Sequence, residues 1–367
     1  MLRRPVPVKR YGQASAAADI EVPMSEEPQF PIIELQGSAR TRGQGHGEQC
    51  RERIQRTVAF YFDDLFLDSP LAPESLRGRA EEVKDVLGRH APRVAEEIEG
   101  IAEGSALPPW QVYTLNARTE ILNARVPECT SLYLAETRVL AQTWDWVEPL
   151  EALCVVLRHE REDGFTYVSL VEPGMVGKIG MNSAGVGVCL NILFAAHDLS
   201  GLPVHTLIGE VLNCADFAAA RARMDSSGLG KASHLLVGDG SGEAVSMEFM
   251  GDERHALLPV DGVLVHTNHC LAHGEAGRQR DVATSCARYD YVTAELQRAG
   301  AQDFARAVEL LSTSAGDGGP LRPYQRIGVL RNHPVGSCAT VVMELAEKRF
   351  HVRRGPQVGR GFSTIQL

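Results

Sequence analysis

The feature that most constrains this chain is a change of hydrophobic period at Cys129. Before it, apolar residues recur at three- and four-residue spacings: Val83, Val86 and Leu87, then Val94, Ile98 and Ile101 in "RAEEVKDVLGRHAPRVAEEIEGIAEGSAL". That spacing predicts helices with one buried stripe. After it, short runs rich in Val, Leu, Thr and Tyr follow one another: "TSLYLAE", "RVLAQTW", "LCVVLRHE", "FTYVSLVE" and "GVGVCLNIL". Turn signals separate them, such as Asp163-Gly164 and the "NSAG" beginning at Asn182. This pattern predicts a meander of antiparallel strands.

Further along, "PVHTLIGEVLNCADFAAARARMDS" returns to helix, and "SHLLVGDGSGEAVSMEFM" and "DGVLVHTNHC" to strand. Two helices, "CARYDYVTAELQRAG" and "AQDFARAVELLSTS", precede a last hairpin, "CATVVMELAEKRFHVRRG". Helices and strands thus come in blocks rather than in strict alternation. The expected class is α+β with antiparallel sheets, not a doubly wound parallel sheet.

The 367 residues suffice for a sizeable core. With 44% hydrophobic and 23% charged residues the balance is that of a soluble globular protein. A net charge of -10 argues against nucleic acid as a partner, because phosphate neutralisation needs a basic excess. No apolar run approaches the ~20 residues of a membrane helix. Residues 1–28, including "MLRRPVPVKR", lack an apolar core and read as a flexible arm rather than a secretory signal. Residues 29–128 read as a helical segment and 129–367 as a segment of strands and helices, within one compact domain. The eight cysteines are scattered, without a C-x-x-C pair, so neither a disulfide scaffold nor structural zinc is expected. A reducing cytoplasm is the expected location, and homo-oligomerisation is left open.

Three constellations do not carry the chemistry expected of similar patterns. Gly43, Gly45 and Gly47 lack dinucleotide spacing. Gly177-Lys178 lacks the gap and the Ser or Thr of a phosphate loop, so Lys178 reads as structural or substrate-side. His266, His269 and His273 follow a strand and lack a third-ligand motif, so no metal site is expected.

Cys129 has two readings, a small core thiol or a nucleophile. A thiol nucleophile needs a base, and no histidine lies nearby in sequence. Cutting the bond before Cys129 would supply one, since a free α-amine has a pKa of about 7.7–8.0 and would sit on the same residue.

The surrounding motifs bear on this choice. "ECTSLYLAETRVLAQTWDW" resembles the isopenicillin-N acyltransferase family. These acyl-coenzyme A:6-aminopenicillanic acid acyltransferases are autoproteolytic N-terminal-nucleophile hydrolases related to choloylglycine hydrolases and penicillin V acylases. "EPGMVGKIGMNSAGVGVCLNIL", "HTNHC", "ATSCARYDY" and "ATVVMELAEKRFHVRRGPQ" resemble the family's later motifs, in its order, from about Gly43 to Gln357.

The resemblance implies a four-layer αββα sandwich. It implies a zymogen that cuts itself at Glu128–Cys129, and a Cys129 acyl-enzyme that passes its acyl group to an amine or to water. Asp145 would hold the freed amine. Asn191 and Asn268 would stabilise the oxyanion, and Arg288 would support the cysteine. The substrate would be a small acyl amide or acyl thioester. No cofactor is implied, acyl-coenzyme A being admitted as a substrate. The cleaved chains would remain associated.

Three departures stand out. Glu128 replaces the family's Gly, Thr143 replaces the Asn of "QNWD" with a hydroxyl that can still donate a hydrogen bond, and the hairpin turn is two residues shorter. The ending "STIQL" lacks a peroxisomal address. Two alternatives remain beside this reading: an unprocessed thiol amidase with a distant histidine base, and a non-catalytic scaffold that binds small molecules.

Overall fold

The computed structural model describes residues 30–122, 129–193, 201–227, 233–250, 253–272, 283–298 and 300–367. The expected arm, Glu128 and His273 lie outside them. The chain opens with β1 (Ile32–Gln36), α1 (Ala39–Gln49), α2 (Arg51–Asp63), α3 (Leu76–His90), α4 (Pro92–Ser105), α5 (Pro109–Asn116) and α6 (Arg118–Leu122). The hairpin β2 (Thr130–Leu134) and β3 (Val139–Val147) follows, then the short α7 (Glu148–Glu151). Next come β4 (Val155–Glu160), β5 (Thr166–Val171), β6 (Ile179–Asn182) and β7 (Gly187–Ile192). After α8 (Val204–Leu212) and α9 (Phe217–Asp225) come β8 (Ser233–Gly238), β9 (Ala244–Met250), β10 (Glu253–Leu257) and β11 (Val263–His266). The chain ends with α10 (Ala283–Leu296), α11 (Phe304–Ser312), β12 (Gln325–Arg326), β13 (Pro334–Glu344), β14 (Arg349–Arg354) and β15 (Ser363–Gln366).

Two sheets form. One runs β1-β4-β5-β6-β7-β8-β9-β10, and the other β11-β2-β3-β13-β14-β15 with β12 on β13. They pack face to face through β3 and β2 against β7, and β2 against β8. The outer face of the first sheet carries α1 and α8, with α4 packed on both helices; that of the second carries α10 and α11. The result is the four-layer αββα sandwich. Residues from both sides of position 128, such as Ile54, Ile98, Val156 and Leu207, share the main buried core. None of the described helices is long and apolar enough to cross a membrane.

One expectation needs correction. The sheets are not wholly antiparallel, since β1 pairs β4 in parallel. Its burial alternates as exposed, intermediate, exposed, buried, exposed, a weak pattern for an edge strand. The expected helical stretch from Arg79 to Leu107 is divided between α3 and α4. Pro92 lacks an N–H to continue α3, so Ala91 leaves the helical region (φ -147°) and α4 starts afresh with Pro92 in its first turn.

The glycines that failed as a dinucleotide fingerprint have a packing role. A Cβ on Gly43 would lie 2.1 Å from the Glu97 carbonyl oxygen, and one on Gly47 2.5 Å from that of Ile101. From the facing helix, a Cβ on Gly100 would lie 2.2 Å from the Arg40 carbonyl oxygen, and one on Gly104 2.2 Å from that of Gln44. Helices α1 and α4 therefore meet backbone to backbone, an approach that no larger residue permits.

Candidate active site

The site begins with strand alternation. Tyr133 and Cys129 belong to the core between the sheets, whereas Leu132 and Leu134 pack under α10 and α11. Hairpin register places Thr130 opposite Thr143. Cys129, just before β2, is thereby brought to Trp144 and Asp145 on β3. On its other side, β3 pairs β13 with Ser337 opposite Asp145 and Ala339 opposite Trp144, leaving Cys338 as an extra residue. The bulge falls beside Asp145, where it locally re-aims the strand. Ser337 itself accepts the Arg322 backbone N–H at 3.0 Å.

Cys129, Asp145 and Asn268 line one small cavity of about 40 Å³ together with Arg118, Lys178 and Trp144. Arg288, on α10, reaches in from the outer face. Its guanidinium donates to the Cys129 carbonyl oxygen at 2.6 Å, to Thr130 Oγ1 at 2.7 Å and to Asn268 Oδ1 at 3.0 Å. Asn268 in turn donates through Nδ2 to the Ile192 carbonyl oxygen at 3.0 Å. Its amide has two N–H groups, so this bond leaves one.

Asn191 is not on the cavity wall but is tied to the same strand as the cysteine. Its Oδ1 accepts from Ser131 Oγ at 2.7 Å, two residues along β2. Its Nδ2 is buried without a hydrogen-bond partner among the described residues. Thr143 Oγ1, expected as a donor, likewise makes no hydrogen bond among the described residues.

Burial, reinforced by the Asp145 carboxylate, pushes the Cys129 thiol up to about 11. The Asp145 backbone N–H, Lys178 and Arg288 pull the other way. At neutral pH only roughly one thiol in ten thousand is then ionised, so the thiol of the intact chain needs a base. Among the described residues, no histidine lines the cavity.

Sequence reasoning did not assemble the charged wall beside the thiol. Glu172 Oε2 accepts from both Arg118 and Lys178 at 2.7 Å, and Oε1 from the Tyr61 hydroxyl at 2.6 Å. Trp146 Nε1 donates to the same hydroxyl at 3.0 Å. Lys178 Nζ lies 3.7 Å from the Trp144 ring centre, and the Arg118 guanidinium 4.6 Å from that of Trp146, both favourable cation–π contacts. Burial raises the Glu172 carboxyl, but the two cations overcome it and bring it down to about 2. Lys178 falls to about 8 through burial and the neighbouring Arg118. The one available signal was Lys178 itself, which the sequence marks as structural or substrate-side without naming a partner.

The histidines once considered for metal are engaged otherwise. His266 Nε2 bonds Glu248 Oε1 at 2.7 Å, and His269 Nδ1 meets Ser285 Oγ at 2.9 Å. No group of three metal-ligating side chains is found among the described residues.

The αββα sandwich, with a cysteine opening a central strand, defines a class that sequence comparison makes specific. The profile described as acyl-coenzyme A:6-aminopenicillanic acid acyl-transferase matches residues 134–352, more than half of the chain, and the protein belongs to this family. A relative from Emericella nidulans, the acyl-coenzyme A:6-aminopenicillanic-acid-acyltransferase 40 kDa form, is 28% identical over 256 residues, covering 67% of this chain and 71% of that one. Among solved structures, penicillin V acylase from Agrobacterium tumefaciens is similar at a TM-score of 0.45 and 13% identity, over 65% of this chain and 86% of that one. A Caenorhabditis elegans ortholog of N-acylethanolamine-hydrolyzing acid amidase is similar at 0.41 and 19%, over 59% and 93%.

Proposed function

We propose that this protein is an autoproteolytic cysteine acyltransferase or amidohydrolase. The observation that carries this reading is the convergence of Cys129, Asp145 and Asn268 on one cavity, with Arg288 bonded to both the Cys129 carbonyl and Asn268. In the first step Cys129 Sγ attacks the Glu128 carbonyl carbon, the Glu128–Cys129 C–N bond breaks, and a thioester forms. Water hydrolyses it, leaving a Glu128 carboxylate and a free α-amine on Cys129. Chains 1–128 and 129–367 stay together, because the core is shared across the cut.

The new amine then takes the proton from its own thiol. Asp145, buried beside Cys129, orients that amine and favours its protonated form. The thiolate attacks an acyl amide or acyl thioester, acyl-coenzyme A being one such donor. Asn191 and Asn268 supply amide N–H groups to the tetrahedral oxyanion. The leaving group departs with a proton, and an amine or water resolves the acyl-enzyme. Arg288 holds the Cys129 carbonyl and so fixes the nucleophile's backbone. The absence of histidine from the described cavity wall favours this route over a thiol amidase with a histidine base. The scattered cysteines, without a C-x-x-C pair, fit a reducing compartment such as the cytoplasm.

The test is direct. Denaturing electrophoresis and intact mass should show two fragments for the wild type and one for Cys129→Ala, with acyl-transfer activity reduced about 10⁴-fold or more. A wild-type chain that stays whole with full activity sinks the self-cleavage. A cut chain that no acyl amide or acyl thioester labels at Cys129 supports the non-catalytic scaffold instead.

A further inference from the structure

Asn191 cannot orient itself. A carboxamide has two faces of similar shape, and a flip exchanges donor for acceptor. If its N–H is to meet an oxyanion, something must hold the oxygen elsewhere. Two side chains do so. Ser131 Oγ donates to Asn191 Oδ1 at 2.7 Å, and the His234 Nδ1 lies 3.0 Å from the same oxygen. An amide oxygen only accepts, so Nδ1 carries the proton. All three side chains are fully buried. With Oδ1 occupied twice, Nδ2 is left as a buried donor without a hydrogen-bond partner among the described residues. Folded proteins rarely leave such a donor unused without a functional reason.

His234 is itself fixed on its other edge and on its face. Its Nε2 meets Ser246 Oγ at 2.8 Å. Its ring stacks on His266 with centroids 3.5 Å apart and planes within 8°. His266 is held between the Thr267 carbonyl oxygen at 2.8 Å and Glu248 Oε1 at 2.7 Å. Glu248 is anchored in turn by the Leu271 and Ala272 backbone N–H groups at 2.6 and 3.0 Å. A rigid chain of contacts therefore runs from the Glu248 carboxylate to one oxygen of Asn191.

We propose that His234 and Ser131 are positioning residues that lock the Asn191 carboxamide with its N–H groups directed at the oxyanion formed on Cys129 chemistry. This rests on the Asn191 role proposed above. Neither residue touches the substrate. They act by holding its oxygen: turning that oxygen toward the developing negative charge would break both bonds and require His234 to change tautomer.

A double-mutant cycle on the cleaved enzyme tests this, with Cys129 acylation by p-nitrophenyl octanoate followed as a mass shift and a p-nitrophenolate burst. Asn191→Ala should slow acylation about 100-fold. His234→Phe keeps the flat ring on His266 but removes both nitrogens, and should slow it about 10-fold with the half-saturating ester concentration unchanged. Ser131→Ala should cost a few-fold, and His234→Gln, which keeps a donor, should recover most of the His234→Phe loss. In the Asn191→Ala background His234→Phe and Ser131→Ala should change nothing further. Equal slowing in both backgrounds, or none in either, overturns the positioning role and leaves Asn191 intact. A harmless Asn191→Ala overturns the role of Asn191, and an unlabelled wild type overturns the acyl-enzyme itself. If His234→Phe does not fold, Ser131→Ala and His234→Gln complete the same cycle.

Discussion

Two buried carboxylates in this protein face arginine and end in opposite states. Glu97, on α4, meets Arg42 at 3.2 Å, while its second oxygen has no hydrogen-bond partner among the described residues and lies 3.7 Å from His159 Nδ1. Burial pushes it up to about 7 against the pull of Arg42. Glu172, at the end of β5, is just as buried, yet falls to about 2. Its two oxygens take three donors, two of them cationic. One cation does not repay the dehydration of a carboxylate, whereas two cations and a hydroxyl do. The first arrangement lies at the close-packed α1–α4 contact. The second borders the cavity of Cys129, whose wall includes Arg118 and Lys178.

The largest break in this comparison comes from Glu172→Gln. It leaves Arg118 and Lys178 as adjacent buried cations and should cost about 3–5 kcal/mol in denaturant unfolding. A loss below about 1 kcal/mol would mean that the cluster is not charge-coupled. Gly104→Ala comes next, since its Cβ would meet the Gln44 carbonyl oxygen at 2.2 Å. Forcing α1 and α4 apart should cost about 1–3 kcal/mol, whereas Gly45→Ala, with its nearest atom at 3.4 Å, should be tolerated.

The pH dependence separates the two carboxylates by sign. Glu172 is depressed, so its stabilisation is complete above about 4.5 and is lost as pH falls through about 2. Glu97 is raised, so the folded state binds its proton more tightly. Its contribution is complete below about 4.5 and is lost as pH rises through about 7. Subtracting the Glu172→Gln and Glu97→Gln stability profiles from the wild type should give slopes of opposite sign in those two windows. Buried His46, lowered to about 3 by burial, adds a background loss as pH falls from 6.5 toward 3, and the subtraction removes it. The smallest effect is Glu97→Gln at pH 7, under about 1 kcal/mol, because the carboxyl is already half protonated there.

Much of this was legible in the residues. Apart from β1, the period change at Cys129 marks where the first run of helices gives way to strands. The hairpin turn and its alternation bring Asp145 to Cys129, because register is a local property. The resemblance pointed to Asn268 and Arg288, and both lie at Cys129. The parallel edge strand β1 escaped notice because one exposed face leaves little pattern. The Arg118–Glu172–Lys178 wall also escaped, because its members come from α6, the end of β5 and the turn before β6. Nothing in their spacing announces a contact.

The sequence by itself therefore determined the order of helices and strands and the meeting of Cys129 with Asp145. Periodicity, prolines and turns act over a few residues and need no partner. Tertiary structure alone decided which charges share an oxygen and which hydroxyl and histidine hold Asn191. It also decided that an arginine 159 positions away would hold the Cys129 carbonyl. Those choices depend on burial, and burial exists only after distant segments have packed.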